Sequence, residues 1–385
     1  MYRLSIIFTT SHADTLGNAC RIEMVRFLTQ HFETTIFTNR KDFCEHHFSN
    51  SIVVNIKTDI KHKIPFISDL IIWRRISKVI TKIDCDAVFM FDDTSPISLW
   101  LNKPTFQYVH QFGERLNENT NFAKKTYRYL YNKFNDYFYT KGLINSSSVF
   151  VVSKPIIEIL KSKGVINTFY TPHGIELDKF QKPLITKFHK RLQELKSNNY
   201  FIITYTGWVT ENRGFQLMMD SIKDIVKNEY KVVLVIAGAD HYYSEKIKTF
   251  SKNNNLGDNI LNFGVIDFSL IPGILHFSDI CYSFLDDMPA YKISPPQKVI
   301  EYFAAGKPVV CNKIQTHEWL VKDNVTGLIT EYNYKDVSAK VLKLLKNKDL
   351  IRIFSRNVQE EVKKYDINVI YGDMFKIIKK TIDGH

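Results

Sequence analysis

From its first residues the chain alternates short apolar runs with longer stretches in which apolar positions recur every three or four residues. Runs of about four to eight residues read as buried strands, and the longer periodic stretches as amphipathic helices. In the first half the strand-like runs fall at 3–9, 34–38, 52–56, 86–91, 104–109 and 148–153, and the helix-like stretches at 18–30, 66–83 and 118–141. Residues 176–199 interrupt the pattern; polar, rich in Lys, Gln and Asn, and containing Pro183, they read as a connection or a solvated helix. The alternation then restarts, with strand-like runs at 200–205, 232–237, 260–263, 279–284 and 308–311. Helix-like stretches fall between them at 213–227, 243–252, 268–276 and 296–305, followed by three more at 334–347, 349–364 and 367–382. Strands separated by helices call for parallel sheets covered on both faces. The expected fold is therefore α/β, with two Rossmann-like doubly wound domains. The boundary falls within 172–198 and is drawn to give domains 1–180 and 181–385, the last helix being a candidate to return to the first domain. In such folds ligands sit at the carboxyl ends of the strands, so the loops after each strand and the cleft between the domains are where chemistry is expected.

Composition narrows the class without naming it. With 385 residues, 44% apolar and 24% charged, the chain fits two packed domains and excludes wholesale disorder. Its formal charge of +12 draws it toward phosphates, anionic lipid or nucleic acid. That charge is uneven. Residues 115–141 carry six Lys or Arg against Glu118 and Asp136, interleaved with Tyr and Phe. The stretch fits peripheral contact with an anionic membrane surface, and equally a helix with its rings in the core and its lysines in water. Five scattered cysteines without C-x-x-C spacing point to neither a disulfide framework nor a zinc site, and hence to a reducing compartment. The opening residues read as a buried strand, with none of the marks of a signal peptide. The longest uncharged run, 197–210, is too short to span a bilayer. A cytoplasmic location, extending to the inner face of the membrane, is expected.

No G-x-G-x-x-G, Walker A, G-x-S-x-G or H-E-x-x-H sequence occurs, which removes the usual dinucleotide, P-loop, serine-hydrolase and zinc-protease readings. What stands out is Ser294-Pro295-Pro296-Gln297-Lys298-Val299-Ile300-Glu301, running on through Gly306 to Val310. Prolines at a helix start, a Gly past its end and a buried strand afterwards make a loop, helix and strand whose helix N-terminus faces the ligand edge. That terminus offers free N–H groups and positive potential to an anion, and Lys298 adds a full charge. Glu301, one turn further on, is placed to accept both hydroxyls of a ribose. The same spacing also fits a capped surface helix with an ordinary Lys and Glu. A second unit, Gly207 followed by Arg213-Gly214 at a helix start, offers a guanidinium that can fork onto diphosphate oxygens.

These residues resemble the retaining glycosyltransferases of family 4, with the GT-B architecture of two facing Rossmann-like domains. The resemblance spans roughly 200–345, through Tyr205-Thr206-Gly207 with Arg213-Gly214, Val235-Ile236-Ala237-Gly238, Phe263-Gly264, Ser278-Asp279-Ile280, the 294–310 block and Asn324-Val325-Thr326-Gly327-Leu328. It is thinner before, through Gly17-Asn18, Val109-His110, Val151-Val152-Ser153 and Thr171-Pro172-His173-Gly174-Ile175. It implies a nucleotide-sugar donor, with Arg213 and Lys298 on its diphosphate, Glu301 on its ribose, and Gly264, Val265 and Ile266 bordering its base. Gly17 and Gly207 would approach the phosphates, and His110 would stand near the transferred sugar as the catalytic candidate. It further implies retention of configuration, a glycan, lipid-linked or small-molecule acceptor, and neither a cofactor nor a metal.

Two positions depart from the family pattern. The first of its two glutamates is Ile293 here, with Asp286, Asp287 and Lys292 as candidate replacements, and the basic residue often following the first Gly is Trp208. Asp84-Cys85-Asp86 has the form of a D-x-D metal motif but precedes a strand instead of following one. Two other readings stay open: a nucleotide-sugar epimerase on the same plan, and a noncatalytic polyanion binder. No nucleic-acid motif supports the second, and nucleic acid is not expected as a partner.

Overall fold

A computed structural model describes residues 1–9, 19–56, 65–110, 122–228 and 230–385. They divide into two compact units. The first contains Arg21–Pro172 with the opening strand and Ile370–His385, and the second His173–Val369.

The first unit runs β1 (Arg3–Ile7), α1 (Ala19–His31), β2 (Glu33–Thr38), α2 (Lys41–His47), β3 (Ile52–Asn55), α3 (Pro65–Ile80) and β4 (Ala87–Phe91). After a 3-10 segment over Asp92–Trp100 it continues with β5 (Thr105–Val109), α4 (Phe122–Asn145), β6 (Ser148–Val151), α5 (Lys154–Ser162) and β7 (Thr168–Tyr170). Its seven described strands are all parallel, in the order β3-β2-β1-β4-β5-β6-β7. In β4, β5 and β6 every residue is buried, whereas the edge strands β3 and β7 are half exposed. A strand with helices on both faces has no polar side to show, so the central strands read as unbroken apolar runs.

The second unit opens with α6 (Leu177–Gln181) and α7 (Lys190–Ser197), so the polar connection is partly helical, with Leu192 and Leu195 turned inward. Then come β8 (Phe201–Thr206), α8 (Phe215–Val226), β9 (Val232–Ala237), α9 (His241–Asn253), β10 (Ile260–Asn262), α10 (Ile271–Phe277) and β11 (Ile280–Ser283). They are followed by α11 (Pro289–Ile293), α12 (Gln297–Ala304), β12 (Val309–Asn312), α13 (Gln315–Leu320) and β13 (Gly327–Thr330). The helices α14 (Tyr334–Lys346), α15 (Lys348–Glu361) and α16 (Ile367–Asp383) complete the order. The sheet is again parallel, β10-β9-β8-β11-β12-β13. In each sheet the strand order reverses beside its first strand, between β1 and β4 and between β8 and β11, and a ligand crevice opens at such a switch point.

Compared with the sequence reading, the units part at 172/173, eight positions before the boundary drawn there. The short elements α2, α5, α11, α13, β7 and β13 went unread, since three to nine residues give too little periodicity to detect. The C-terminal part of α16 groups with the first unit. There Tyr371 stands edge-on to Phe27 at 5.7 Å, and Phe375 packs against His31 and Phe32 at 5.0 and 5.4 Å between ring centroids. Tyr371, Met374 and Ile378 are buried, spaced as one face of a helix. Truncating a fully buried ring leaves a cavity that the surroundings only partly fill. Tyr371→Ala is expected to destabilise the first unit by about 3 kcal/mol, read as a lower midpoint in denaturant unfolding.

Candidate functional site

The switch point of the second sheet gathers four of the residues singled out in the sequence, Gly207, Arg213, Lys298 and Glu301. Because β11, α12 and β12 form a parallel crossover, α12 runs against the strands and its N-terminus lies at their carboxyl edge. Pro296 is its N-cap, with no side-chain cap. Lys298, in the first turn, is buried, and so is Glu301 one turn on, each 7% exposed. The surface-helix alternative is thereby removed. The Lys298 amine lies 3.7 Å from the centre of the Tyr205 ring, and neither it nor the buried Ser294 hydroxyl has a hydrogen-bond partner among the described residues. Burial, and then the charge of Arg213, push the Lys298 pKa well below the lysine range, with Glu301 opposing.

Gly207 ends β8 with φ +101, a backbone that favours glycine. Its N–H donates to the Ala237 carbonyl at 2.9 Å, so that amide is already used in joining β8 to β9. Its contribution is space, since a Cβ here would stand 3.5 Å from the Lys298 amine. Gly214, at φ +75, opens α8, and a Cβ there would meet the Cβ of Phe284 at 2.4 Å. Arg213 is thus delivered half-buried at the end of a tight turn, its guanidinium 5.8 Å from the Tyr291 ring centre and against the Tyr205 hydroxyl. The turn is held from two sides. Asp286 N–H donates to Asn212 O at 2.9 Å, and Glu211 N–H donates to the Tyr243 hydroxyl at 3.1 Å. Lys246 donates to Glu211 at 2.9 Å from among the rings of Phe215, Tyr242 and Tyr243.

Behind Lys298 a set of satisfied polar groups ties β11 to β12. His317 is fully buried between Ser283 and the Asn312 carbonyl, each 2.9 Å away. With Nδ1–H donating to that carbonyl, Nε2 accepts the Ser283 hydroxyl, and the ring is neutral. Burial pushes the His317 pKa down to about 4, the Asn312 hydrogen bond opposing and nearby Lys298 reinforcing the shift. The Asn312 amide exchanges two 2.9 Å hydrogen bonds with the Leu285 backbone, fixing the start of the loop into α12. Gly264, at φ +66, closes β10, its carbonyl accepting Gly238 N–H at 2.7 Å. Val265 after it is half exposed, whereas Ile266 packs on the core. Among the candidate replacements for the missing glutamate, Asp287 and Lys292 pair with each other at 2.7 Å.

In the first unit His110 follows β5, half-buried, and its N–H donates to Asp92 at 2.8 Å. Asp92 follows β4 at φ +37, ion-paired to Arg21, with its carbonyl accepting the Gln107 amide at 2.9 Å. Gly17 lies outside the described residues, as do the side chains of 111–128. Asp84 and Asp86 pair with Arg3 ahead of β4, at the amino edge away from the ligand crevice, where they brace β1. The basic stretch divides by face. Phe134 and Phe138 pack on the core, while Tyr129, Leu130 and Tyr137 are exposed. No described helix is long and apolar enough to cross a membrane.

Residues 187–361 match the model of glycosyl transferases group 1. That match takes in a little under half of the chain, centred on the second unit. The capsular polysaccharide biosynthesis glycosyltransferase CapM of Staphylococcus aureus is 24% identical over 237 residues, 58% of each chain. The UDP-Gal:alpha-D-GlcNAc-diphosphoundecaprenol alpha-1,3-galactosyltransferase of Escherichia coli is 25% identical over 195 residues, 50% of this chain and 48% of its own. The chain thus spans about half the length of the curated relatives it matches. The structure of HepE from Anabaena, in complex with UDP and glucose, aligns over 99% of this chain and 100% of its own at TM-score 0.76 and 13% identity. The fold is GT-B, with two Rossmann-like parallel-sheet units.

The neutral His317 gives an acid signature. Between its ordinary pKa near 6.5 and about 4, the unfolded chain takes up a proton that the native site refuses, so stability falls as pH falls. The loss is on the order of 3 kcal/mol. Urea unfolding at pH 7 and at pH 4.5 is expected to show a larger drop for the wild type than for His317→Gln.

Proposed function

We propose that the chain is a retaining glycosyltransferase that moves a sugar from a nucleotide diphosphate donor to a lipid-linked or glycan acceptor, using its own cations in place of a bound metal. The observation that carries the reading is the buried, unpartnered Lys298 amine at the N-terminus of α12, beside Arg213 and the open face of Gly207. In this reading the diphosphate supplies the missing acceptors, Ser294 adds a hydroxyl, and Glu301 takes the ribose. The base lies toward Val265, two strands from β8 and so about 10 Å away at ordinary strand spacing.

As the bond from the anomeric carbon to the phosphate oxygen breaks, negative charge grows on the leaving diphosphate. Lys298, Arg213 and the helix terminus stabilise that charge more in the transition state than in the bound donor. The acceptor hydroxyl attacks from the same face and passes its proton to the departing phosphate. His110, braced through Asp92, is the acceptor-side candidate of the first unit. The uridine nucleotides named for the E. coli relative and the Anabaena structure make UDP the first donor fragment to try.

A lipid-linked acceptor fits the outer face of α4, where Leu130, Lys133, Tyr137, Lys141 and Ile144 are exposed at three- and four-residue spacing.

Calorimetry with a panel of nucleoside diphosphates is expected to single out one base. Arg213→Ala and Lys298→Met should weaken its binding by roughly 10- to 100-fold each, the range for a lost charged hydrogen bond. Wild-type affinity in both folded variants would refute the assignment, and donor turnover without acceptor would make the protein an epimerase instead. On vesicles containing anionic lipid, Lys133→Ala with Lys141→Ala should bind roughly 10- to 30-fold more weakly at low salt. Unchanged sedimentation would remove the membrane role while leaving the transferase reading in place.

A further inference from the structure

Lys298 is the one cation of the proposed phosphate site whose charged atom is buried and, among the described residues, without an acceptor. An ammonium has three donors and needs acceptors for them, and leaving them unmade in a dry site costs far more than it does for a neutral amine. The described surroundings do not supply them. From β8 comes the Tyr205 ring face at 3.7 Å, its phenol held neutral by burial and donating to the Trp208 carbonyl at 2.6 Å. From the turn before α8 comes the Arg213 cation, and from α13 the neutral His317, whose two nitrogens are both engaged. On α12 itself only Glu301 is acidic and near, a turn away. Tyr291 of α11 faces Arg213. One acid thus stands against a permanent guanidinium, and a ring face attracts a cation without replacing three hydrogen bonds.

We propose that the phosphate site at the start of α12 takes up a proton as it fills, and that the Lys298 amine is where that proton goes. The inference rests on the donor reading above and adds a regulation to it. In the empty site the amine is uncharged, lying on the Tyr205 ring beside Gly207. An entering diphosphate brings negative charge and acceptor oxygens, so the amine lone pair accepts a proton from solvent and the resulting ammonium donates to the phosphate. Burial and Arg213 lower the pKa of the empty state, and the bound anion reverses the balance. By linkage, donor affinity falls as pH rises between the two pKa values, by about tenfold per pH unit for uptake of one full proton. Arg213, which stays charged throughout, contributes no such dependence.

The test is titration calorimetry of the full chain with UDP, and separately with inorganic pyrophosphate. Each is run at about pH 8, in Tris and in Hepes, whose ionisation heats differ; UDP is ionised there and its arm counts the proton, whereas pyrophosphate still carries a proton of its own and its arm reports binding alone. The expected result is a buffer-dependent heat corresponding to uptake approaching one proton per site, with affinity weakening from pH 7 to pH 9. Lys298→Arg, charged in both states, should bind without uptake. For the wild type alone, NMR of carbon-13-labelled lysine should show one side chain moving from the neutral to the charged shift on adding UDP. Binding with identical heats in the two buffers, or uptake that persists in Lys298→Arg, overturns the inference and leaves the transferase reading intact. Absence of binding by UDP, by pyrophosphate and by the wider nucleotide panel overturns both.

Discussion

The second unit is organised around a buried amine to which no described residue offers an acceptor. Holding it there requires a helix whose first turn lies at the carboxyl edge of the sheet, which the parallel crossover from β11 to β12 provides. It also requires a strand end with no side chain. Gly207 is that end, at φ +101, a backbone that disfavours any residue with a Cβ. Tyr205, two residues earlier and on the same face of β8, provides the floor. An unsatisfied buried donor is a standing cost to the fold. The arrangement is intelligible if the energy withheld from folding is released on a ligand carrying oxygen acceptors.

Around that unsatisfied centre nearly everything else is satisfied. His317 has a partner at each ring nitrogen, Asn312 is paired in both directions with Leu285, and Thr206 N–H and hydroxyl both reach the Tyr302 oxygen at 2.9 and 3.2 Å. The turn bearing Arg213 is tied to α9 on one side and to the loop after β11 on the other. Saturated surroundings keep the strand ends from collapsing onto Lys298, and this rigidity is what pre-organised charge stabilisation needs.

The sequence made the central strands readable because burial on both faces writes them as continuous apolar runs; Val232–Ala237 is buried at every position. It made Lys298, Glu301 and Arg213 readable as well, because prolines and glycines mark the helix starts that carry them. The local pattern could not reveal Tyr205 as a floor, His317 as a neutral strut or Ser294 as a second polar group unpartnered among the described residues. In sequence these are an aromatic in a strand, a histidine in a six-residue helix and a serine before two prolines. Their meaning comes from partners some 30 to 100 positions away, such as Ser283 for His317 and Lys298 for Tyr205. The D-x-D form misleads for the opposite reason. The spacing is present, but topology puts Asp84 and Asp86 at the amino edge, where Arg3 neutralises them.

The first unit treats its own switch point differently, and the contrast argues for a division of roles. After β4 the chain turns through Asp92 at φ +37, a conformation that costs of the order of 1 to 3 kcal/mol and persists only where surroundings over-determine it. Three partners do so: Arg21 at the carboxylate, His110 N–H at its other oxygen, and the Gln107 amide at the carbonyl. The charge there is compensated within the unit, so this edge offers an anion much less than the start of α12 does. What it holds out is the half-buried imidazole of His110, with its backbone pinned. A paired acid beside an imidazole suits hydroxyls and protons, whereas an orphaned amine beside a guanidinium suits phosphate. Two sheets of the same strand order therefore differ in chemistry because one pairs the acid at its switch point within the unit, whereas the other holds a buried amine to which no described residue offers an acceptor.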